Sequence, residues 1–595
     1  MSANKTPMKM GKGGGKVTQK PKNLKVTFHK LMFNLKVYSF QIIIGLILAG
    51  LSTVLSIVGP DMLQKIGQIL ISGDIVLSKI TKVAIGLCIL YGASFLFSIL
   101  QSFIMSGVTA KISKDFRSKI SKKINKLPLK YLDKTSYGDI LSRVTNDVDL
   151  LCETLNSSLT SIISSIAIII GSIIMMLSYS FKLTLLSLCI LPVSAIVISL
   201  MFKASQKYFK AQQDSLGNIN GHIEEIYSGH NVIKIYNGED DALEEFDKHN
   251  NALFSSSLKG NIISGLMHPL MHFFGNVGYA LIIIMGGIMA IEDPTFVPIV
   301  MAFVTYYKMF NNQITQVSSI SSTLQTTFAA SERIFEFLDE EEEPNEKDKK
   351  FVLKNITGDV EFKHVNFGYT PDKQVIHDLN IKIKGGQKIA IVGSTGAGKT
   401  TLVNLLMRFY DVDSGEILID GQNISNLKRE NVRNLFGMVL QDTWLFEGSI
   451  KENIAYGKKD ISHKQIMEVC MAAGIHHLIM SQPKGYDMVI TEENNFSSGE
   501  KQLITIARAM LHNAPMLILD EATSSVDTRT EVIIQKAMDK LLKDRTSFII
   551  AHRLSTIINA DKIIVMKDGR VVEIGKHKEL LEKNGTYAEL YNAQF

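Results

Sequence analysis

The sequence predicts a two-part membrane protein, six membrane-crossing α-helices with long cytoplasmic extensions fused to an α/β domain built around a glycine loop. Three observations predict it. Six apolar runs, all in the first half of the 595-residue chain, are each long enough to cover a hydrocarbon core of about 30 Å. A charged stretch with one proline, "DEEEEPNEKDKK" from Asp339 to Lys350, closes that half as a linker would. Beyond it stands a strand, glycine loop and helix in "QKIAIVGSTGAGKTTLVNLLMRFY", and no further segment suited to a membrane. The expected divisions are a basic tail and interfacial helix at 1–38, a helical membrane domain at 39–330, a linker at 331–355 and the α/β domain at 356–595.

The first acidic residue is Asp61, so the tail before it carries only Lys and His as side-chain charges. Its start has a disordered composition, and "LKVTFHKLMFNLKVYSF" suits an amphipathic helix in the lipid interface. With no small-residue cleavage site after a short apolar core, it reads as an uncleaved anchor. The six runs lie near 41–59, 82–108, 157–179, 183–203, 261–291 and 296–316. Connections at 60–81, 180–182 and 292–295 are poor in Lys and Arg, whereas 110–156 and 203–260 are rich in them. The positive-inside rule then places both termini and both long loops in the cytoplasm of a plasma-membrane protein. Those loops keep a helical period, which extends the spans to tips near Gly138, Asp139, Gly217 and Gly229, expected docking points for a cytoplasmic domain.

Hydrophobic residues form 46% of the chain and charged ones 21%, with a net charge of +6. That charge is mild for the length and gathers on no single face, which argues against nucleic acid, and none is expected as a partner. Cys88, Cys152, Cys189 and Cys470 are too far apart in sequence for a zinc motif or disulfide framework and read as packing residues. Within the apolar runs, His268 and His272 stand at i, i+4, and Lys308 and Asn311 precede Asn312 and Gln313. Such groups face a cavity rather than lipid, and they are the candidate substrate contacts. Two histidines without a third ligand do not make a metal site.

The α/β half carries the chemistry. Gly393, Ser394, Thr395, Gly396, Ala397, Gly398, Lys399 and Thr400 spell G-x-x-x-x-G-K-T after an apolar β-branched strand, with Thr401 next. Glycines let backbone N–H groups close on phosphate, Lys399 reaches the β/γ oxygens, and Thr400 offers a hydroxyl to Mg²⁺ at the helix's positive end. "PMLILDEATSSVD" supplies a buried strand ending at Asp520, for magnesium, with Glu521 beside it to polarise the attacking water. "FIIAHRL" delivers His552 to the same edge as a γ-phosphate contact. Between the glycine loop and these strands, "NNFSSGEKQ" is a capping box, Ser497 with Glu500, opening an apolar-periodic helix whose N-terminus suits a phosphate.

At these residues the chain resembles the ATP-binding cassette exporters, half-transporters with one six-helix membrane domain and one nucleotide-binding domain. The resemblance covers nearly the whole chain from about residue 30. It implies ATP and Mg²⁺ as cofactors, Tyr369 in "FGYTPDK" as the adenine-stacking aromatic, and Gln441 in "VLQDTWLFEGSIKENI" near magnesium and water. It implies Asp527 as the end of the D-loop, and Gly138–Asp139 and Gly217–Gly229 as coupling helices. It also implies that Ser497, Ser498, Gly499 and Glu500 form a signature motif that closes on ATP held by a second half-transporter.

This copy departs from the family pattern, with Phe496 and Glu500 where Leu and Gln are usual and "TEENN" lacking a glycine. Glu492, Glu493 and Glu500 put negative charge near a γ-phosphate, and at an effective dielectric of about 20 a like charge 6 Å away costs roughly 3 kcal/mol. Unequal ATP sites, hence a heterodimer exporting lipophilic drugs, are therefore the expectation. The alternatives are a homodimeric lipid or peptide exporter, and a membrane sensor that binds ATP without pumping.

Overall fold

The computed structural model describes residues 23–594 apart from 72–75, 350, 352, 354–355, 442, 459, 492–495, 521–526 and 551–556. It divides into two compact units, 1–125 with 136–340, and 126–135 with 341–595.

The first unit is helical: α1 Leu24–Leu35, α2 Ser39–Ile71 and α3 Leu77–Ile124, then α5 Tyr137–Ser142 beyond the segment that carries α4 Leu129–Leu132. There follow α6 Val148–Tyr179, α7 Phe181–Ser228, α8 His230–Tyr236, α9 Glu239–Glu292 and α10 Phe296–Asp339. Helices of 48 and 54 residues rise about 1.5 Å per residue, to roughly 70–80 Å. That is more than twice a hydrocarbon core, so helical extensions well beyond a membrane core are present as continuous helix. Five helical stretches among the described residues are long and apolar enough to cross a membrane: Leu24–Ile71, Leu77–Ile124, Tyr137–Tyr179, Phe181–Ser228 and Glu239–Glu292. The sixth expected run, 296–316, is helical throughout as the start of α10, but is not one of these five. Lys308, Asn311, Asn312 and Gln313 dilute its apolar character.

The start of α10 is nevertheless held inside the bundle. The Tyr306 hydroxyl, fully buried, donates to the Ile57 carbonyl of α2 at 2.8 Å, and Ser165 of α6 donates to Gln313 at 2.7 Å. Close approach to α9 depends on small residues, since a Cβ on Gly275 would fall 2.5 Å from the Asn311 amide nitrogen. Lower on α10, Arg333 Nε donates to the buried Asp147 at 2.9 Å. The amphipathic α1 lies along the same end, with its Phe28 ring 6.3 Å from Phe328.

The second unit holds a short antiparallel pair, β7 (Gly448–Ser449) with β8 (Val489–Ile490), and two larger sheets. An antiparallel one runs β2 (Lys373–Ile383), β1 (Val360–Thr370), β4 (Ser414–Ile419), β5 (Gln422–Asn423). The other is ordered β12 (Arg570–Gly575), β11 (Lys562–Lys567), β3 (Lys388–Val392), β10 (Thr546–Ile550), β9 (Met516–Asp520), β6 (Phe436–Val439). From β11 to β6 all neighbours are parallel. β3 and β9 are largely continuous apolar runs, and β10, which opens with Thr546 and Ser547, is buried along its whole length, as strands covered on both faces must be.

Candidate functional site

Parallel pairing gathers the expected site at one sheet edge. Ile391 of β3 stands in register with Ile550 of β10, which pairs with Asp520 of β9, and β6 runs alongside β9. The loops that follow these strands therefore emerge together, carrying Gly393 onward, Gln441 and Asp520. This carboxyl-end edge is where open α/β sheets bind ligands. Glu521 and His552 lie outside the described residues; each follows a strand that ends at this edge.

Local chemistry shapes the loop. A Cβ on Gly393 would strike the Met566 carbonyl, and Gly398 has φ +99°, a left-handed conformation that leads into the helix Lys399–Leu406. Ser394, Thr395 and Gly396 are exposed, while Ala397 is buried and its N–H donates to the Ser394 carbonyl at 3.1 Å. Lys399 Nζ crosses back over the loop, donating to the carbonyls of Gly393 at 2.7 Å and Ser394 at 3.0 Å. Burial pushes its pKa below the ordinary lysine value, and the charge of Asp520 pulls the other way. Thr400 is exposed on the first turn. The loop offers N–H groups, a lysine and a threonine hydroxyl at the same sheet edge as the Asp520 carboxylate, a set that fits a magnesium nucleotide.

Tyr369 is half-buried, and its hydroxyl lies 3.1 Å from the buried Thr401 hydroxyl. Its ring meets Phe367 and Tyr410 edge-on, each 5.1 Å away. The Tyr410 hydroxyl in turn donates to Asp133, which belongs to the second unit through the short segment 126–135, where Leu129 also packs on the domain core. Thr401, Tyr369, Tyr410 and Asp133 form an unbroken line from the glycine-loop helix to that segment. Sequence reasoning missed Asp133 and Tyr410, and a coupling role had been expected slightly further on. Gly138 and Asp139 lie in α5, where Ser136 caps the Asp139 N–H at 3.2 Å. Gly217 is inside α7, and Gly229 joins α7 to α8.

The signature region is the N-terminus of the helix Ser498–His512. Ser497 Oγ accepts from the Glu500 N–H at 3.3 Å, and Glu500 Oε2 accepts from the Ser497 N–H at 2.7 Å, a complete capping box. Phe496 is buried in the core that this helix shares with helices 463–473 and 528–542, and Gly499 is buried too. The Glu500 carboxylate is thereby engaged with its own helix end, which weakens the electrostatic ground for unequal ATP sites; Glu492 and Glu493 lie outside the described residues. Asp527 caps the helix Thr528–Leu542, accepting from the Thr530 N–H at 2.9 Å.

A second ionic group escaped sequence reasoning because its members lie far apart in the chain. Glu346, from the charged stretch read as a linker, bonds Arg429 at 2.7 Å, Arg408 at 2.8 Å and Lys349 at 2.9 Å, with Arg408 and Arg429 buried. It fastens the irregular segment that leads into the domain.

In the first unit, His272 is exposed on α9 and Lys308 lies on α10 with its ammonium 4.7 Å from the Tyr279 ring centre. His268 is on α9; its side chain falls outside the described residues. Asn311 faces Gly275.

Comparison with known proteins gives matches over both units. The model of the ABC transporter transmembrane region fits residues 42–314, and that of the ABC transporter domain fits residues 376–524. A fatty acid ABC transporter ATP-binding/permease protein of Mycobacterium bovis is 43% identical over 505 residues, 85% of this chain and 80% of its own. A putative multidrug export ATP-binding/permease protein of Bacillus subtilis is 37% identical over 83% of this chain and 86% of its own. Among solved structures, a bacterial Atm1-family ABC exporter with ATP bound superposes with a TM-score of 0.74 at 26% identity, covering 94% of this chain and 98% of that one.

Proposed function

We propose that this chain, which belongs to the ABC transporters, is one half of a dimeric exporter that moves lipophilic molecules out of the plasma membrane. It is an ATP hydrolase coupled to transport, with its membrane region and ATPase domain in one polypeptide. The observation that carries the proposal is the sheet edge where Gly393–Thr400, Gln441 and Asp520 converge. There the loop N–H groups and Lys399 hold the β- and γ-phosphates, Glu521 orients and deprotonates the attacking water, and His552 contacts the γ-phosphate. Thr400, Gln441 and Asp520 would hold Mg²⁺, which neutralises charge on the phosphate oxygens when bound. Tyr369 packs the nucleotide side of the line that ends at Asp133, and the tips at Gly138–Asp139 and Gly217–Gly229 pass the motion to the helices.

The signature residues Ser497 to Glu500 would close on ATP held by the partner. With Glu500 committed to its capping box, two copies of this chain suffice to build both sites, and a dimer with a related half is the alternative. Purified alone and reconstituted in liposomes, the chain should hydrolyse ATP as a dimer and accumulate a lipophilic dye vectorially, and Glu521→Gln should remove both activities. Absence of ATPase until a related half is added would establish the mixed dimer, and ATPase without vectorial transport would favour a sensor. The relatives named for fatty acids and for multidrug export support a lipophilic cargo of either kind.

A further inference from the structure

We infer that Lys308 is the anchor for the anionic head of a membrane-borne amphiphile, a carboxylate or phosphate carried on acyl chain, which deepens the exporter reading and rests on it. The six apolar runs contain no Asp or Glu, and of their three lysines Lys82 and Lys203 stand at the ends while Lys308 is internal. It lies twelve positions after Phe296, the first residue of α10, which at about 1.5 Å per residue is roughly 18 Å into a core of about 30 Å. From that depth its stem cannot carry the charge to an interface, the usual escape of a lysine near a helix end.

Lys308 makes no ion pair among the described residues; its recorded contact is with the face of Tyr279, an attraction far short of full compensation. Of the acids just outside the runs, Asp61 is already engaged, accepting from Tyr179 at 2.6 Å and pairing with Lys65 at 2.8 Å, and Glu292 and Asp293 stand before the first residue of α10, twelve or more positions from Lys308. A charge left at this depth without a partner marks a substrate path.

Several of the side chains along its face and the facing α9 face carry hydrogen-bond donors. Met301, Thr305, Lys308 and Asn312 recur at the spacing of one helix face and all are exposed. On α9, His272, Asn276 and Tyr279 recur in the same way, the first two exposed, and Tyr279 brings that face to Lys308. Amides, an imidazole and a phenol flanking one cation can share the oxygens of a carboxylate or phosphate. The exposed apolar side chains beside them, such as Phe273 and Met301, suit an acyl chain. A cationic drug would meet repulsion instead.

The test is binding without ATP by the full-length protein in nanodiscs of neutral lipid, using radiolabelled oleate, a phosphatidylglycerol and the uncharged oleyl alcohol, with ATP-driven flipping of the same probes measured separately. Wild type should bind one or both anions at least tenfold more tightly than the alcohol. Lys308→Met should remove that preference and leave alcohol binding within threefold, and Lys308→Arg should keep it. Oleate preference alone would assign a carboxylate head, and phosphatidylglycerol preference alone a phosphate. Equal binding of all three probes by wild type, or an unchanged preference in Lys308→Met, overturns the inference. Loss of alcohol binding together with the anions in both variants also overturns it, since Lys308 would then be structural. Lys308-dependent binding with no flipping supports the site and rejects the exporter reading.

Discussion

Glu500→Gln separates two accounts of the signature region by a measurable margin. If the carboxylate faced the partner's γ-phosphate, its charge at about 6 Å and an effective dielectric near 20 would cost roughly 3 kcal/mol, about a hundredfold in ATP affinity at ~1.4 kcal/mol per decade. Removing that charge would then tighten ATP by up to that factor. The structure instead has Glu500 Oε2 accepting from the Ser497 N–H at 2.7 Å, a bond that glutamine's amide oxygen can also make. The expected change in the KM for ATP is therefore under threefold. Glu500→Ala, which opens the box, should destabilise the domain by about 1 kcal/mol. The assay is steady-state ATPase of the reconstituted protein over a range of ATP concentrations, alongside thermal unfolding. A tenfold or larger fall in KM for Glu500→Gln would refute the inward capping geometry and restore the case for unequal sites.

Asp147→Ala leaves the Arg333 guanidinium without its buried partner and should cost about 3–5 kcal/mol, whereas the paired change Asp147→Leu with Arg333→Met should cost far less; unfolding in detergent compares them. Burial raises the Glu346 carboxyl, but the Arg429 N–H, Lys349, Arg408 and the Arg429 charge together hold it below its ordinary value. Its stabilising effect is thus full above the ordinary carboxylate pKa and lost as pH falls through the lower folded one, so Glu346→Gln should flatten the acid limb of the domain's Tm profile. Burial pushes the Cys470 thiol up to about 11, so a hydrophilic maleimide at pH 8 should leave it unlabelled until the domain unfolds.

The two halves were legible in the sequence to different depths, for physical reasons. Chain-local patterns survived: the glycine loop, the continuous apolar strands and the long helical extensions each follow from residues a few positions apart, and parallel pairing then brings Gly393, Gln441 and Asp520 to one edge. Asp133 with Tyr410, and Glu346 with Arg408 and Arg429, join residues remote in sequence through ordinary polar side chains, and no spacing announces them. Glu500 shows a subtler limit. Its charge was visible in the sequence, but the direction of its carboxylate depends on which donor it satisfies. A carboxylate three residues into a helix has an orphan N–H within reach behind it, and the local bond settles where the charge points.

Lys308 and Glu500 together show how a charge should be weighed in this chain. Glu500 stands in the cytoplasmic domain beside a backbone donor, so its charge is met locally and tells little about any partner. Lys308 stands about 18 Å along α10 from Phe296 and about 12 Å from the other end of its run, in runs that contain no acid, so no residue of its own span can meet it. The charge of Glu500 is therefore read as structural, while that of Lys308 is the ground on which an anionic cargo is proposed. Depth in the membrane and supply of partners, not charge itself, decide between them.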